Sequence, residues 1–354
     1  MASERDRATP QRGRSAQTAP FSPAMRVGIY SDLRNPPPWR QPTDVALRTA
    51  LERIQYAEEV GVHEVWLTEH HGFPDEYLSQ PLTFAAAIAA TTRRIEIGTG
   101  VLLAPLRDAA DIAEQAALVD GLSGGRLHLG LGAGYRRAEF ELFGRDKRTR
   151  YERLEEHIVA IRRLWDEGRV TPAPVQERLP IWVGAMGRRT ARMAARLGEG
   201  LLYLDPEVFA IYRDAWLEAG RDPAGMRVSG SVSLFLADDP ERTWAQIAPH
   251  LAYMWETYAV ASADPPVDLA PAFAGPATLD PQTLRSPGPA MLTSAFDVVT
   301  PDDAVRRLRA WLADMPVRSV FFWDRIAGMD EALVRRHVEL IATEVAPAVA
   351  DLGR

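Results

Sequence analysis

The chain contains no cysteine, which removes disulfides, thiolate metal ligands and thiol nucleophiles together. Long hydrophobic runs are missing too: the most apolar stretch, residues 84–90, falls far short of the roughly 20 residues needed to span a bilayer. Nor is there any excess of positive charge. With 48 acidic against 41 basic side chains the formal net charge is −7, so no global field gathers nucleic-acid phosphates or anionic lipid. Residues 1–24 are rich in Arg, Pro, Ser and Ala and lack an apolar segment. They read as a disordered tail rather than a secretory signal, and the cytoplasm is the expected compartment.

What remains is a composition 46% hydrophobic and 25% charged over 354 residues, the profile of a soluble globular protein with a large core. From Met25 onward, short apolar or β-branched runs alternate with stretches of helical spacing. The runs are residues 26–30, 64–67, 95–98, 127–131, 181–184, 200–204, 228–236 and 317–323. Between them lie amphipathic segments such as 46–60, whose Ala50, Leu51, Ile54, Ala57 and Val60 share one face, and 304–312. Strands separated by helices pair in parallel through right-handed crossovers, and eight such units are the number that closes a (β/α)8 TIM barrel. An open doubly wound sheet is the competing architecture. One domain, 25–350, is expected, with the proline-rich stretch 261–294 as a lid inserted before the last strand. The pattern resumes at Thr300-Pro301-Asp302, a helix start with proline in its first turn.

In such barrels chemistry sits just past the strand C-termini. After the second strand comes Thr68-Glu69-His70-His71, two imidazoles beside a carboxylate that could move protons near neutral pH; a buried structural histidine is the alternative. In a strand His70 and His71 would point to opposite faces, and no HExxH-type spacing accompanies them, so no metal site is expected. After the fourth strand, Gly130-Leu131-Gly132-Ala133-Gly134-Tyr135 would let backbone approach a flat ligand closely or would serve a tight turn. It fails as a dinucleotide fingerprint in both position and spacing. After the fifth strand, Ala185-Met186-Gly187-Arg188-Arg189-Thr190 opens a helix whose free N–H groups offer a phosphate seat; an ordinary βα turn with solvated arginines is the alternative.

These pieces, in this order, resemble the luciferase-like monooxygenases over residues 25–349. The carrying stretches are 64–71, 97–105 and 120–135, followed by Phe140 and Phe143-Gly144, with the fifth-strand turn and 194–198 continuing the match. The resemblance implies a barrel binding reduced FMN, or in a sister branch the deazaflavin F420, over the strand C-termini. His70 matches the family's catalytic histidine, with Glu69 and His71 to orient it, and the family's non-prolyl cis peptide would fall at Gly100-Val101. Gly132 stands where bacterial luciferase has a reactive cysteine, and Ala133 where it has a phosphate-contacting arginine. Met186 and Gly187 replace an acidic residue and a serine. The phosphate is then left to backbone N–H groups, Thr190 and the arginines Arg188, Arg189 or Arg150. The implied reaction is oxygenation of a small organic substrate by O2 through a flavin C4a-hydroperoxide. Trp323 and Asp324, which end the last strand, are expected at the substrate pocket, with a core position the alternative for Trp323. Because no nicotinamide dinucleotide site is visible, a separate reductase supplies the reduced flavin, and a homodimer is the expected assembly. The Glu-His-His run leans toward FMN; hydride transfer with F420, or a flavin-binding subunit without catalysis, are the alternatives.

Overall fold

The computed structural model describes residues 24–285 and 296–353. Eight strands, β1 (Arg26–Ser31), β2 (Glu64–Leu67), β3 (Glu96–Thr99), β4 (Leu127–Gly132), β5 (Ile181–Gly184), β6 (Gly200–Leu202), β7 (Val228–Val232) and β8 (Val317–Trp323), form one sheet. Each pairs in parallel with the next in sequence, and β8 returns to β1, with Arg26 opposite Ser319 and Tyr30 opposite Trp323. The sheet is therefore closed, and helices such as Thr43–Val60, Ala109–Ser123 and Arg150–Asp166 cover it from outside, giving a (β/α)8 TIM barrel. The strands were legible because both of their faces are covered, which demands apolar runs rather than polar alternation.

Inside the barrel the side chains form layers. At the N-terminal end lies an ionic layer: Arg318 bonds Glu64 at 2.8 Å and also Glu96, while Glu96 holds His128 Nε2 at 2.8 Å. Above it, Trp66 stacks on Phe321 at 5.1 Å and meets Trp182 edge-on at 6.0 Å. Gly98, the register partner of Trp66, makes room for the indole, since a Cβ there would overlap the ring. The plug is dense below and stops short of the strand C-termini, where a cavity opens.

The sequence pattern and the structure differ near the end of the chain. The run 228–236 breaks at Ser233: Val228–Val232 stays in the barrel, whereas Leu234–Leu236 pairs in parallel with Asp297–Val299 as a separate two-stranded sheet. Residues 234–236 and 297–299 thus pair outside the barrel sheet. The helix start at Thr300 is present, with its hydroxyl accepting from the Asp303 N–H and Pro301 at the first position. Within the stretch expected as a lid, the helix Pro240–Ala261 reaches the first residue, short turns follow at Ala270–Phe273 and Pro281–Leu284, and Phe273 is wholly buried. Glu256 accepts from the N–H groups of Thr278 and Leu279, fastening this segment down. The remainder of the lid stretch, 286–294, and the tail residues 1–23 lie outside the described residues. Among the described residues no helix is long and apolar enough to cross a membrane.

Candidate active site

A cavity of about 920 Å³ opens over the C-terminal ends of the strands, at the upper end of the size range for small-molecule sites. It draws lining residues from almost every strand end, including Glu69, His70, Gly100, Val101, Gly132, Gly187 and Trp323. Its floor is set by the Gly100–Val101 peptide, which is cis. The Tyr30 hydroxyl donates to the Gly100 carbonyl, and the Val101 side chain lies where a Cβ on Gly132 would sit. That packing gives a physical reason for a glycine at 132: any side chain there would displace Val101 and the floor with it.

His70 follows β2, its N–H fixed to the Leu78 carbonyl at 3.0 Å. Nδ1 lies 2.7 Å from Oε1 of Glu139, and the same oxygen accepts from the His71 N–H at 3.0 Å and from Arg136 at 3.1 Å. Burial alone would raise the Glu139 carboxyl, but the His70 hydrogen bond, with Arg136 and the His71 N–H, holds it below the usual carboxylate range. An ionised carboxylate only accepts, so His70 Nδ1 donates to Glu139. Nε2 lies 3.3 Å from the Tyr135 hydroxyl, at the cavity. Rings surround this imidazole: Phe73, Tyr77, Tyr135 and Tyr258 all have centroids within 6 Å.

Glu69 acts as a clamp. Its carboxylate accepts from the Leu103 N–H at 2.8 Å and from Arg107 at 2.5 Å, and lies 2.6 Å from His71 Nε2. It thereby ties the end of β2 to the segment carrying the Gly100–Val101 floor. His71 faces away from the main cavity, between Glu69 and the Phe143 ring, and borders a separate hollow of about 240 Å³.

Across the barrel mouth, β5 runs into the helix Arg188–Leu197, which starts at Gly187 without a side-chain cap. The first N–H groups of such a helix have no carbonyl partner within it and carry the positive end of its dipole. Ala185, Met186, Gly187, Arg188, Arg189 and Thr190 all line the cavity here. Thr190 Oγ1 donates to the Gly187 carbonyl at 3.2 Å. Arg189 lies 4.8 Å over the Tyr151 ring, and Arg150 lies 4.2 Å from the same centroid but does not reach the cavity.

His70, the residues from Gly132 to Tyr135 and the Gly187 turn thus converge on one space, whereas Asp324 does not join them. Its carboxylate is fully buried, accepting from Arg53 at 2.8 Å and Ser31 at 3.0 Å, and only its neighbour Trp323 borders the cavity. Position at a strand end was a guide to Trp323 and a false one for Asp324, because successive strand residues point to opposite faces. Glu139, Arg136 and Arg107, together with the wall residues Tyr77, Trp255 and Tyr258, were not found in the sequence. Glu139 lies 69 positions from its histidine; the one available signal was an acid placed beside Phe140 in a motif already singled out. Among the described residues no group of three or more His, Asp or Glu side chains could hold a metal ion.

Fold and site together are those of a (β/α)8 barrel with a large cavity at the strand C-termini. Comparison with known proteins makes the class specific: the chain belongs to the luciferase-like monooxygenase family, whose model matches residues 25–318. Similar curated proteins include an F420-dependent glucose-6-phosphate dehydrogenase from Amycolatopsis mediterranei. It is 30% identical over 197 residues, 50% of this chain and 59% of that protein. The oxygenase component of a flavin-dependent trigonelline monooxygenase from Acinetobacter baylyi is 30% identical over 164 residues, 42% and 46% of the two chains. The chain thus spans about half the length of these curated relatives. Among solved structures, monooxygenase RslO1 from Streptomyces bottropensis superposes with a TM-score of 0.73 at 25% identity, covering 91% of this chain and 99% of that one.

Proposed function

We propose that the chain is the oxygenase component of a two-component flavin system, binding reduced FMN and using O2 to oxygenate a small organic substrate. The observation that carries this reading is His70: Nδ1 is locked by Glu139, and Nε2 lies at a cavity that also takes in the uncapped helix start at Gly187. The residues fit the cofactor. Gly132 leaves room for the Val101 side chain of the cavity floor, over which a flat ring would lie, and the uncapped helix start at Gly187, with Thr190 and Arg188, would hold a phosphate. When bound, reduced flavin supplies the electrons that activate O2. The chain's own contribution is to position the ring on the Gly100–Val101 floor, to exclude water with the aromatic wall, and to hold or deliver a proton at His70 Nε2. The reductase partner is part of the reading, supported by the "oxygenase component" in the name of the Acinetobacter relative. So is a homodimer, for which helix Ala109–Ser123 offers the exposed Leu118 and Leu122.

His70→Ala should keep flavin affinity and lose roughly 10²- to 10⁴-fold in turnover, the usual size of a general acid–base contribution. Unchanged product formation with a reductase present would sink the assignment. A second reading, hydride transfer with F420, is favoured by the name of the Amycolatopsis relative and by two exposed arginines, Arg188 and Arg189, at the cavity mouth, suited to an anionic tail. Reconstitution with each reduced cofactor under air and under argon separates the two.

A further inference from the structure

The cavity's two halves differ in charge. Strands β4 and β5 stand across the barrel from β8 and β1, and the side chains open to the cavity at the β5 end include Arg188 and Arg189. The other half is walled by Tyr77, Met254, Trp255, Tyr258, Phe296 and Trp323, none of which carries a charge at neutral pH; of the ionisable residues that also border it, Glu69 is taken up by Arg107, His71 and the Leu103 N–H, and His70 is paired through Nδ1 with Glu139.

Ionic groups lie close behind this wall and are sealed from it. Arg34 and Asp75 pair at 2.5 Å with both side chains wholly buried, and Arg34 lies 5.1 Å from the Tyr258 ring centroid. Arg136 and Glu139 are similarly paired and buried. An ionic ligand group entering this half would lose its water without meeting an open countercharge, a desolvation cost of several kcal/mol. Neutral oxygen is served differently. The hydroxyls of Tyr77 and Tyr258 bond each other at 2.6 Å, and those of Ser231, Ser233 and Ser262 line the same cavity. Burial pushes both phenols well above their ordinary value, so they stay protonated and able to donate. The rings meet at steep angles, 83° between Tyr77 and Tyr258 and 70° between His70 and Tyr258, presenting edges and faces to a planar guest.

Resting on the flavin reading for the arginine-lined half, we propose that the other half binds an uncharged aromatic substrate bearing phenolic or carbonyl oxygen. Its ring lies among Trp255, Tyr258 and Trp323, and its oxygen meets the tyrosine and serine hydroxyls. The test is a titration of the FMN-loaded protein, followed by tryptophan fluorescence, with three probes of one shape: 2-naphthol, 2-naphthoate and 2-naphthylmethylammonium. Naphthol should bind at least tenfold more tightly than either ion, and Trp255→Ala should weaken naphthol about tenfold while leaving FMN affinity unchanged. Equal affinity for either ion, no naphthol binding, or a Trp255→Ala protein that binds naphthol as before would overturn the proposal. FMN uptake is measured separately by flavin fluorescence. Its failure overturns the flavin reading, while the probe series on the same protein still decides between neutral and ionic ligands.

Discussion

His337 should make the rim of the site sensitive to acid. The helix Glu331–Leu340 carries it into the protein, where the ring is fully buried and stacked on Phe235 with centroids 3.9 Å apart. Nδ1 accepts from the Leu236 N–H at 2.8 Å, and Nε2–H donates to the Trp323 carbonyl at 3.0 Å. Both nitrogens are thereby committed to the neutral form. Burial depresses the imidazole to about 3, against the opposing pull of the Trp323 carbonyl. An unfolded chain would protonate this group near its ordinary value of about 6.5 and the folded one only near 3. Between those values the unfolded state binds the extra proton, so stability is lost as pH falls, by about 1.4 kcal/mol per pH unit.

From about pH 7 to about pH 5 the loss from this one side chain comes to about 2 kcal/mol. Because carboxylates titrate as well, the clean measurement is a difference: urea unfolding of the wild type and of His337→Gln at both pH values, read by tryptophan fluorescence. The wild type should be the more stable at the higher pH, and its advantage should shrink by about 2 kcal/mol at the lower. Parallel pH profiles for the two proteins would refute the argument, since they would mean that the buried ring binds protons as readily as an exposed one.

Three further outcomes are expected. Glu139→Gln keeps an acceptor for His70 Nδ1 but removes the charge; kcat should fall about tenfold with KM and flavin affinity unchanged, and a rise in KM alone would reassign Glu139 to binding. Burial lifts the Asp32 carboxyl to about 6 despite Arg34 and Arg325, so the folded state carries a costly charge above that pH and sheds the cost as pH falls through it. Asp32→Asn should therefore stabilise the protein by up to about 3 kcal/mol near pH 8 and hardly at all near pH 4; an equal gain at both would count against that origin. Gly98→Ala would drive a methyl into the Trp66 ring, which Glu64 pins at 2.8 Å and Phe321 backs. Overpacking there should cost about 1–3 kcal/mol in a denaturation measurement, and no loss would show the barrel interior to be softer than its geometry implies.

How much of this could be read from the residues varied with the range of the interaction. Strands buried on both faces announce themselves locally, and His70 was visible because it directly follows one of them. The break at Ser233 left no mark, because 228–236 is a continuous strand-forming run and only pairing with 297–299, about sixty residues on, pulls its second half away. Likewise Glu139 and Arg136 became functional candidates only once folding brought them to the imidazole. Asp324 differs for the opposite reason: it stands at a strand end, yet Arg53, from a helix 271 residues earlier, captures its carboxylate.

Arg136 has a consequence for how such a site can change. It donates to Glu139, the orienting partner of His70, and through Nε to the carbonyl of Ala261 at 2.7 Å, the last residue of the helix that presents Trp255 and Tyr258. One guanidinium therefore couples the wall proposed to receive the substrate to the imidazole proposed to handle its proton. Mutations that reshape this helix terminus to admit a new molecule would reach the imidazole without touching it. Retuning specificity and preserving turnover are not independent in this architecture, and variants selected for one should carry compensating changes around residue 136.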